Sequence, residues 1–155
     1  MKPVFTLLSL VAGLLVAGPV LYAEENCWST AGARYRVDPW LLYSIAKKES
    51  NLNPSAINKN SDGSEDVCMM QINSQHFPKL RGYGITREML LNDTCLCINV
   101  GAWLISESFY RYGVSWNSVG IYNAGPKRSE RQQARRDAYS SEVHKIYLES
   151  IGRGS

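Results

Sequence analysis

Four cysteines placed after an apolar N-terminal run limit the fold of this chain more than any other feature. Met1 and Lys2 precede an apolar run that ends at Ala23, which is the layout of a secretory signal peptide. We therefore expect a signal peptide over residues 1–23, with an uncleaved membrane anchor as the alternative, and a mature domain over residues 24–155. In an exported chain, an even number of cysteines predicts a disulfide framework. The cysteines are Cys27, Cys68, Cys95 and Cys97.

The spacing of the last two cysteines narrows their pairing. Cys95 and Cys97 lie two residues apart on a predicted helix, so their side chains point about 200° apart. They should not bond to each other, and each then needs one of Cys27 and Cys68. We favour the pairs Cys27–Cys95 and Cys68–Cys97.

Composition and charge exclude several other classes of protein. The chain has 155 residues, of which 45% are apolar and 20% charged, and this suits one globular domain without repeats. Only His76 and His144 could join the cysteines at a zinc ion, and no pair has zinc-ligand spacing, so we expect no metal and no cofactor. The net charge of +3 is compatible with an anionic envelope polymer. The basic residues between Lys127 and Arg136 predict a solvated surface first, a docking patch second and nucleic-acid binding a distant third.

The stretch from Asp38 to Asn51 carries the best candidate for chemistry. Asp38 can cap a helix that begins at Pro39, and Glu49 falls on the apolar arc of that helix near its C-terminal end. Desolvation and the helix dipole should both raise the pKa of this carboxyl. A carboxylic acid that stays protonated near neutral pH can protonate a glycosidic oxygen. The alternative is a Glu at a frayed helix end, turned into solvent. The apolar arc comprises Leu41, Leu42, Ile45 and Ala46, with Tyr43, Ser44, Lys47 and Lys48 outside it.

Caps and helical periodicity predict a mainly α-helical chain. The expected fold is one helical domain with a small loop or hairpin at Asn58–Asp66, after the candidate catalytic helix, and with two disulfides. The helix from Asp93 to Tyr112 is apolar on most sides and should be the buried central one. The remaining helices are expected at Glu25–Arg36, Thr86–Leu91, Trp116–Asn123 and about Ser129–Ser150.

Four motifs in order resemble one known family. They are Glu49-Ser50, the run Met69–Asn73, the run Ile121–Gly125 and a later helical tyrosine, Tyr139. Together they look like the lytic transglycosylases with the goose-type lysozyme-like α+β fold (transglycosylase SLT domain), and within that group like the specialised enzymes of conjugative type IV and type III secretion systems. The segment Ser129–Tyr139 looks most like the plasmid-transfer members. The resemblance covers Cys27 to Ile151, with Cys68 and Ile121 where the family usually has Gly and Ala.

The resemblance implies a reaction and a role for each motif. Glu49 would protonate the bond between N-acetylmuramic acid and N-acetylglucosamine in peptidoglycan, then act as base on the muramic 6-hydroxyl to give a 1,6-anhydro product without water. Each remaining motif residue also has a purely structural alternative, as a core tyrosine, a buried amide or a helix terminus. The residues expected to bind substrate are Ser50, Gln71, Tyr122, Asn123 and Tyr139.

Two other functions stay open on the sequence. A hydrolytic muramidase needs a second carboxylate, and Asp66 is the candidate, although Asp62, Glu65 and Asp66 also suit a solvated acidic turn. A scaffold with an inactive cleft would bind the wall without cutting it. We expect a monomer in the bacterial periplasm that acts on peptidoglycan glycan strands for an envelope-spanning secretion or conjugation machinery.

Overall fold

The computed structural model describes residues 22–153, and the side chains of residues 27–152. The predicted signal peptide lies outside the described residues, apart from its last two positions. The described elements are α1 (Tyr22–Tyr35), α2 (Pro39–Ser50), β1 (Ile57–Lys59), β2 (Glu65–Val67), β3 (Ile72–Asn73), a 3-10 turn (Ser74–His76), α3 (Phe77–Arg81), α4 (Arg87–Asn92), α5 (Thr94–Tyr112), α6 (Trp116–Ala124) and α7 (Glu130–Arg153).

Local capping explains where several helices begin. The Asp38 carboxylate accepts a hydrogen bond from the Trp40 amide at 2.7 Å, so α2 begins where the sequence predicts. Thr86, Asp93 and Ser115 cap α4, α5 and α6 through their side-chain oxygens. Each oxygen satisfies an amide that would otherwise lack a partner in the first turn. The seven α-helices of residues 22–153 confirm the prediction of a mainly helical chain.

The strands form a three-stranded antiparallel sheet in the order β1-β2-β3. Asn58 pairs with Asp66, and Asp66 pairs with Asn73, so these three polar residues share one face of the sheet. Val67 and Ile72 lie on the other face and are fully buried. The expected hairpin is present as β1 and β2. The third strand, β3, comes from Ile72–Asn73 at the end of the run Met69–Asn73.

Helix α5 crosses the core, as its apolar sequence predicts. It packs against α1 on one side and α6 on the other, while α7 packs along α2 and α6. Two disulfides, Cys27–Cys95 and Cys68–Cys97, tie α1 and the turn after β2 to α5. These are the pairs favoured from the sequence.

Two polar side chains depart from the sequence expectation. Ser44 was placed outside the apolar arc of α2, but it is fully buried, and its hydroxyl donates to the Trp40 carbonyl at 2.6 Å. Arg136 was counted with a solvated basic surface, but it is only 5% exposed. Backbone carbonyls accept a hydrogen bond from the Ser44 hydroxyl and two from the Arg136 guanidinium, which lowers the cost of burying these groups.

Membrane-spanning helices and metal-ligand clusters are both absent from the part of the chain that the structure describes. Within residues 22–153, no helix is both long and apolar enough to cross a lipid bilayer. The same part of the chain contains no group of three or more His, Cys, Asp or Glu side chains placed to hold a metal ion.

Candidate active site

Glu49 lies in the last turn of α2 with its carboxyl group against α7. The Tyr139 hydroxyl donates a hydrogen bond to Glu49 Oε1 at 2.6 Å, and Tyr139 is itself 5% exposed. Burial raises the pKa of Glu49 from 4.5 to about 7, with a smaller increase from the charge of Asp66, while Tyr139 and Lys48 oppose the rise. The direction is the one expected from the apolar arc, and at neutral pH both protonation states are populated.

Close packing of α6 on α7 brings the two tyrosines of the motifs together. A Cβ atom added at Gly120 would lie 2.6 Å from the Arg136 carbonyl oxygen, so only glycine permits this approach. The nearby charge of Glu49 contributes to raising the pKa of Tyr122 and of Tyr139, after burial as the main cause. Both phenols therefore stay neutral and act as hydrogen-bond donors beside the carboxyl group.

The segment Cys68–Gln71 forms a tight turn that contacts Ser50, the residue after Glu49. Ser50 Oγ donates to the Met69 carbonyl at 2.8 Å, and the Tyr122 hydroxyl donates to the Met70 carbonyl at 2.6 Å. These two bonds attach the turn to α2 and α6. Ser50 therefore has the structural role expected of a helix terminus, and its predicted contact with substrate stays a prediction.

Two residues of this turn have left-handed backbone conformations. Cys68 has φ +61° and Gln71 has φ +50°, a region in which non-glycine residues are uncommon. The family's usual glycine at the position of Cys68 would adopt this conformation without a steric penalty. Here the Cys68–Cys97 disulfide holds the backbone to α5.

The Gln71 side-chain amide makes most of its hydrogen bonds within the protein. Its Nε2 donates to the Cys68 carbonyl at 2.9 Å and to the Ala56 carbonyl at 3.4 Å, and its Oε1 accepts from Asn58 at 2.6 Å. One lone pair of Oε1 is left for a substrate N–H. The predicted sugar contact of Gln71 therefore stays a prediction, limited to that acceptor.

Of the three acids predicted near the site, one faces Glu49. Asp66 accepts hydrogen bonds from Asn60 at 2.9 Å and from Asn73 at 2.8 Å. Glu65 points to the other face of the sheet and pairs with Arg87, while Asp62 is exposed and accepts from Ser64. Asp66 is thus the one of the three whose charge acts on Glu49.

The last turn of α6 presents Asn123 to solvent. Asn123 is exposed, so its side chain is accessible to a glycan. The buried Arg136 guanidinium donates to the Gly125 carbonyl at 2.9 Å and to the Lys127 carbonyl at 3.0 Å. Sequence reasoning did not identify this support, because nothing in the helical pattern of α7 distinguishes Arg136 from its exposed basic neighbours.

Comparison with known proteins identifies the class. Residues 26–145 match the family model described as the transglycosylase SLT domain. The chain is 45% identical over 122 residues to X polypeptide from Escherichia coli, covering 79% of this chain and 72% of that protein. It is 42% identical over 125 residues to Protein IpgF from Shigella flexneri, covering 81% of each. It is 46% identical over 110 residues to Invasion protein IagB from Salmonella typhimurium, covering 70% and 69%.

The fold is also similar to a solved structure. An inactive mutant of the lytic transglycosylase Slt from Pseudomonas aeruginosa superposes with a TM-score of 0.61 at 16% identity. The match covers 84% of this chain but only 24% of that longer one, so it supports the fold. The family match shows that this chain belongs to the transglycosylase SLT domain family. It is a peptidoglycan lytic transglycosylase, the enzyme class predicted from the sequence.

Proposed function

We propose that the protein cleaves the β-1,4 bond between N-acetylmuramic acid and N-acetylglucosamine with formation of a 1,6-anhydro end, using Glu49 alone as acid and base. The observation that carries this proposal is the half-buried Glu49 carboxyl with a pKa of about 7 and a tyrosine donor. An acid used in both directions works best when its pKa lies near the working pH.

The proposed reaction has two proton transfers. Glu49 transfers its proton to the glycosidic oxygen, the bond to the muramic C1 breaks, and the carboxylate left behind accepts the hydrogen bond of Tyr139. The carboxylate next removes the proton of the muramic 6-hydroxyl, and the O6 oxygen bonds to C1. Glu49 ends protonated as it began, and no water is consumed.

A second candidate is a muramidase that adds water. The charge of Asp66 acts on Glu49, so the two carboxyl groups lie near each other, as hydrolysis requires. Against it, both Asp66 oxygens accept hydrogen bonds from asparagine side chains. This favours a fixed electrostatic role over activation of a water molecule.

Product analysis on purified cell-wall sacculi tests the proposal. We expect the wild-type protein to release anhydro-muropeptides, identified by mass spectrometry, and Glu49→Gln to release none. Glu149→Gln, an exposed acid on α7, is the matched control and should keep full activity. Reducing-end products that disappear in Asp66→Asn would favour the muramidase, and sacculus binding without any cleavage would favour a scaffold.

For the cellular context, we propose that the enzyme acts in the periplasm, where it opens the wall locally for an envelope-spanning secretion or conjugation machinery. The apolar N-terminal run and the two disulfides support export to an oxidising compartment. A relative named as an invasion protein is compatible with a secretion machinery. The particular likeness to plasmid-transfer members stays a prediction. Fractionation with antibody against the mature chain tests the location, and recovery in the cytoplasm would refute it.

A further inference from the structure

A cleft of about 770 Å³ lies between the hairpin and helices α3 and α4. This volume is within the usual range for sites that bind small ligands. Glu49 is not among the residues that line the cleft, so the cleft is a different place from the catalytic carboxyl group. Its walls include Lys59, Glu65, Phe77, Arg81, Ile85 and Arg87.

Strand β2 separates the cleft from the catalytic carboxyl group. Glu65 lines the cleft, whereas the next residue, Asp66, points to the opposite face of the sheet and acts on Glu49. Asn60 connects the two sides, since it lines the cleft and donates a hydrogen bond to Asp66. A peptide of four residues spans about 13 Å when extended. To reach the cleft, a peptide attached to a sugar beside Glu49 has to cross the edge of the hairpin.

The charges of the cleft favour an anionic ligand. The Arg87 guanidinium binds both oxygens of Glu65, at 2.6 and 3.0 Å, so this pair forms a neutral wall fixed by bidentate geometry. Lys59 and Arg81 are exposed, and no described carboxylate lies within ion-pair distance of either. Two positively charged side chains are therefore available to a ligand. The one exposed acid among the lining residues of the cleft is Glu88.

Apolar surface completes the cleft. Phe77 and Ile85 line it and are half-buried, so they offer contact to short aliphatic groups. A ligand with carboxylates and methyl-bearing side chains fits both features. The uncharged sugar rings of a glycan would leave both cations without a partner.

We propose that this cleft binds the carboxylate-bearing stem peptide that is attached to the glycan strand being cut. The inference rests on the proposed function, because peptidoglycan is what brings such a peptide to the site. Glu49 does not line the cleft, so we expect the contacts of the cleft to be equal in the ground state and the transition state. They lower KM and leave kcat unchanged.

The double variant Lys59→Ala/Arg81→Ala tests the proposal on two substrates. One substrate is peptide-bearing glycan, and the other is the same glycan after an amidase has removed the peptides. We expect the wild-type protein to prefer the peptide-bearing strands, and the double variant to lose about tenfold in kcat/KM on them through KM, from two exposed charge contacts. Its kinetics on bare strands should be unchanged. The control Arg34→Ala/Lys145→Ala removes the same two charges elsewhere and should lose nothing.

A binding experiment with a soluble stem tetrapeptide separates this inference from the proposed function. Binding is measured by the changes in the amide chemical shifts of the active protein. Shifts centred on Gly63, Ile85 and Thr86 would support the cleft even if neither glycan were cleaved, an outcome that would refute only the proposed reaction. An equal loss on both glycans, an unchanged KM on peptide-bearing strands, or peptide shifts away from the cleft would each overturn the inference.

Discussion

Replacing Glu49 with glutamine is expected to stabilise the folded protein at alkaline pH. The fold raises the pKa of Glu49 from 4.5 to about 7, and each pH unit between these values corresponds to about 1.36 kcal/mol. The favourable contribution of the protonated group is complete below pH 4.5 and is lost as the pH rises through 7. The difference in unfolding free energy between Glu49→Gln and the wild type should therefore grow by about 3 kcal/mol between pH 4 and pH 8.

Urea unfolding of both proteins at several pH values measures this difference. Glu149→Gln, which removes an exposed carboxyl of α7, should show no pH-dependent gain. A difference between Glu49→Gln and the wild type that stays constant from pH 4 to pH 8 would refute the reasoning, because it would mean that the Glu49 carboxyl is solvated in the folded protein. The assay requires no substrate, so it tests the burial of Glu49 apart from its proposed role in cleavage.

Two further predictions concern Tyr139 and the Cys27–Cys95 disulfide. Tyr139→Phe removes a hydrogen bond that lowers the pKa of Glu49, so the alkaline limb of kcat/KM should move up by about one pH unit. The control is Tyr110→Phe, at a residue 91% exposed, which should leave the alkaline limb of kcat/KM in place. A downward movement of this limb in Tyr139→Phe would contradict the role of the Tyr139 hydrogen bond in lowering the pKa of Glu49. Replacing both Cys27 and Cys95 with serine opens a bridge that spans 68 residues, and the unfolding free energy should fall by about 4 kcal/mol. A loss below about 1 kcal/mol would show that loop closure contributes little.

The sequence predicted the helices that local signals define. Helix α2 is signalled by Asp38 with Pro39, and α6 by Ser115 with Gly125, and neither signal needs a distant partner. Both helices begin and end within a residue or two of the expected positions. Helix α3 was not predicted, because its five residues, Phe77–Arg81, are too few to show a period. The third strand was missed for the same reason, since β3 has only two residues.

The sequence predicts the features of the candidate site that depend on one helix, but not the contacts between residues far apart in the chain. Glu49 could be identified because its position on the arc of α2 implies burial. The partners of Ser50 and Tyr122 lie 19 and 52 residues away along the chain, and periodicity does not report such contacts. The inward orientation of Arg136 depends on carbonyl groups exposed by the end of α6, so a pattern of charges along α7 cannot predict it.

The turn Cys68–Gln71 shows how the site combines strain with rigidity. Left-handed conformations at two non-glycine residues cost about 1–2 kcal/mol each, and this cost is offset by attachments to three helices. Cys97 holds the turn to α5, Tyr122 holds it to α6, and Ser50 holds it to α2. Because Ser50 directly follows Glu49, the last of these attachments fixes the turn relative to the acid itself. Under the proposed function, a glycan that binds against the turn is held at a constant distance from the Glu49 carboxyl, which is the positioning that acid catalysis by a single carboxyl group requires.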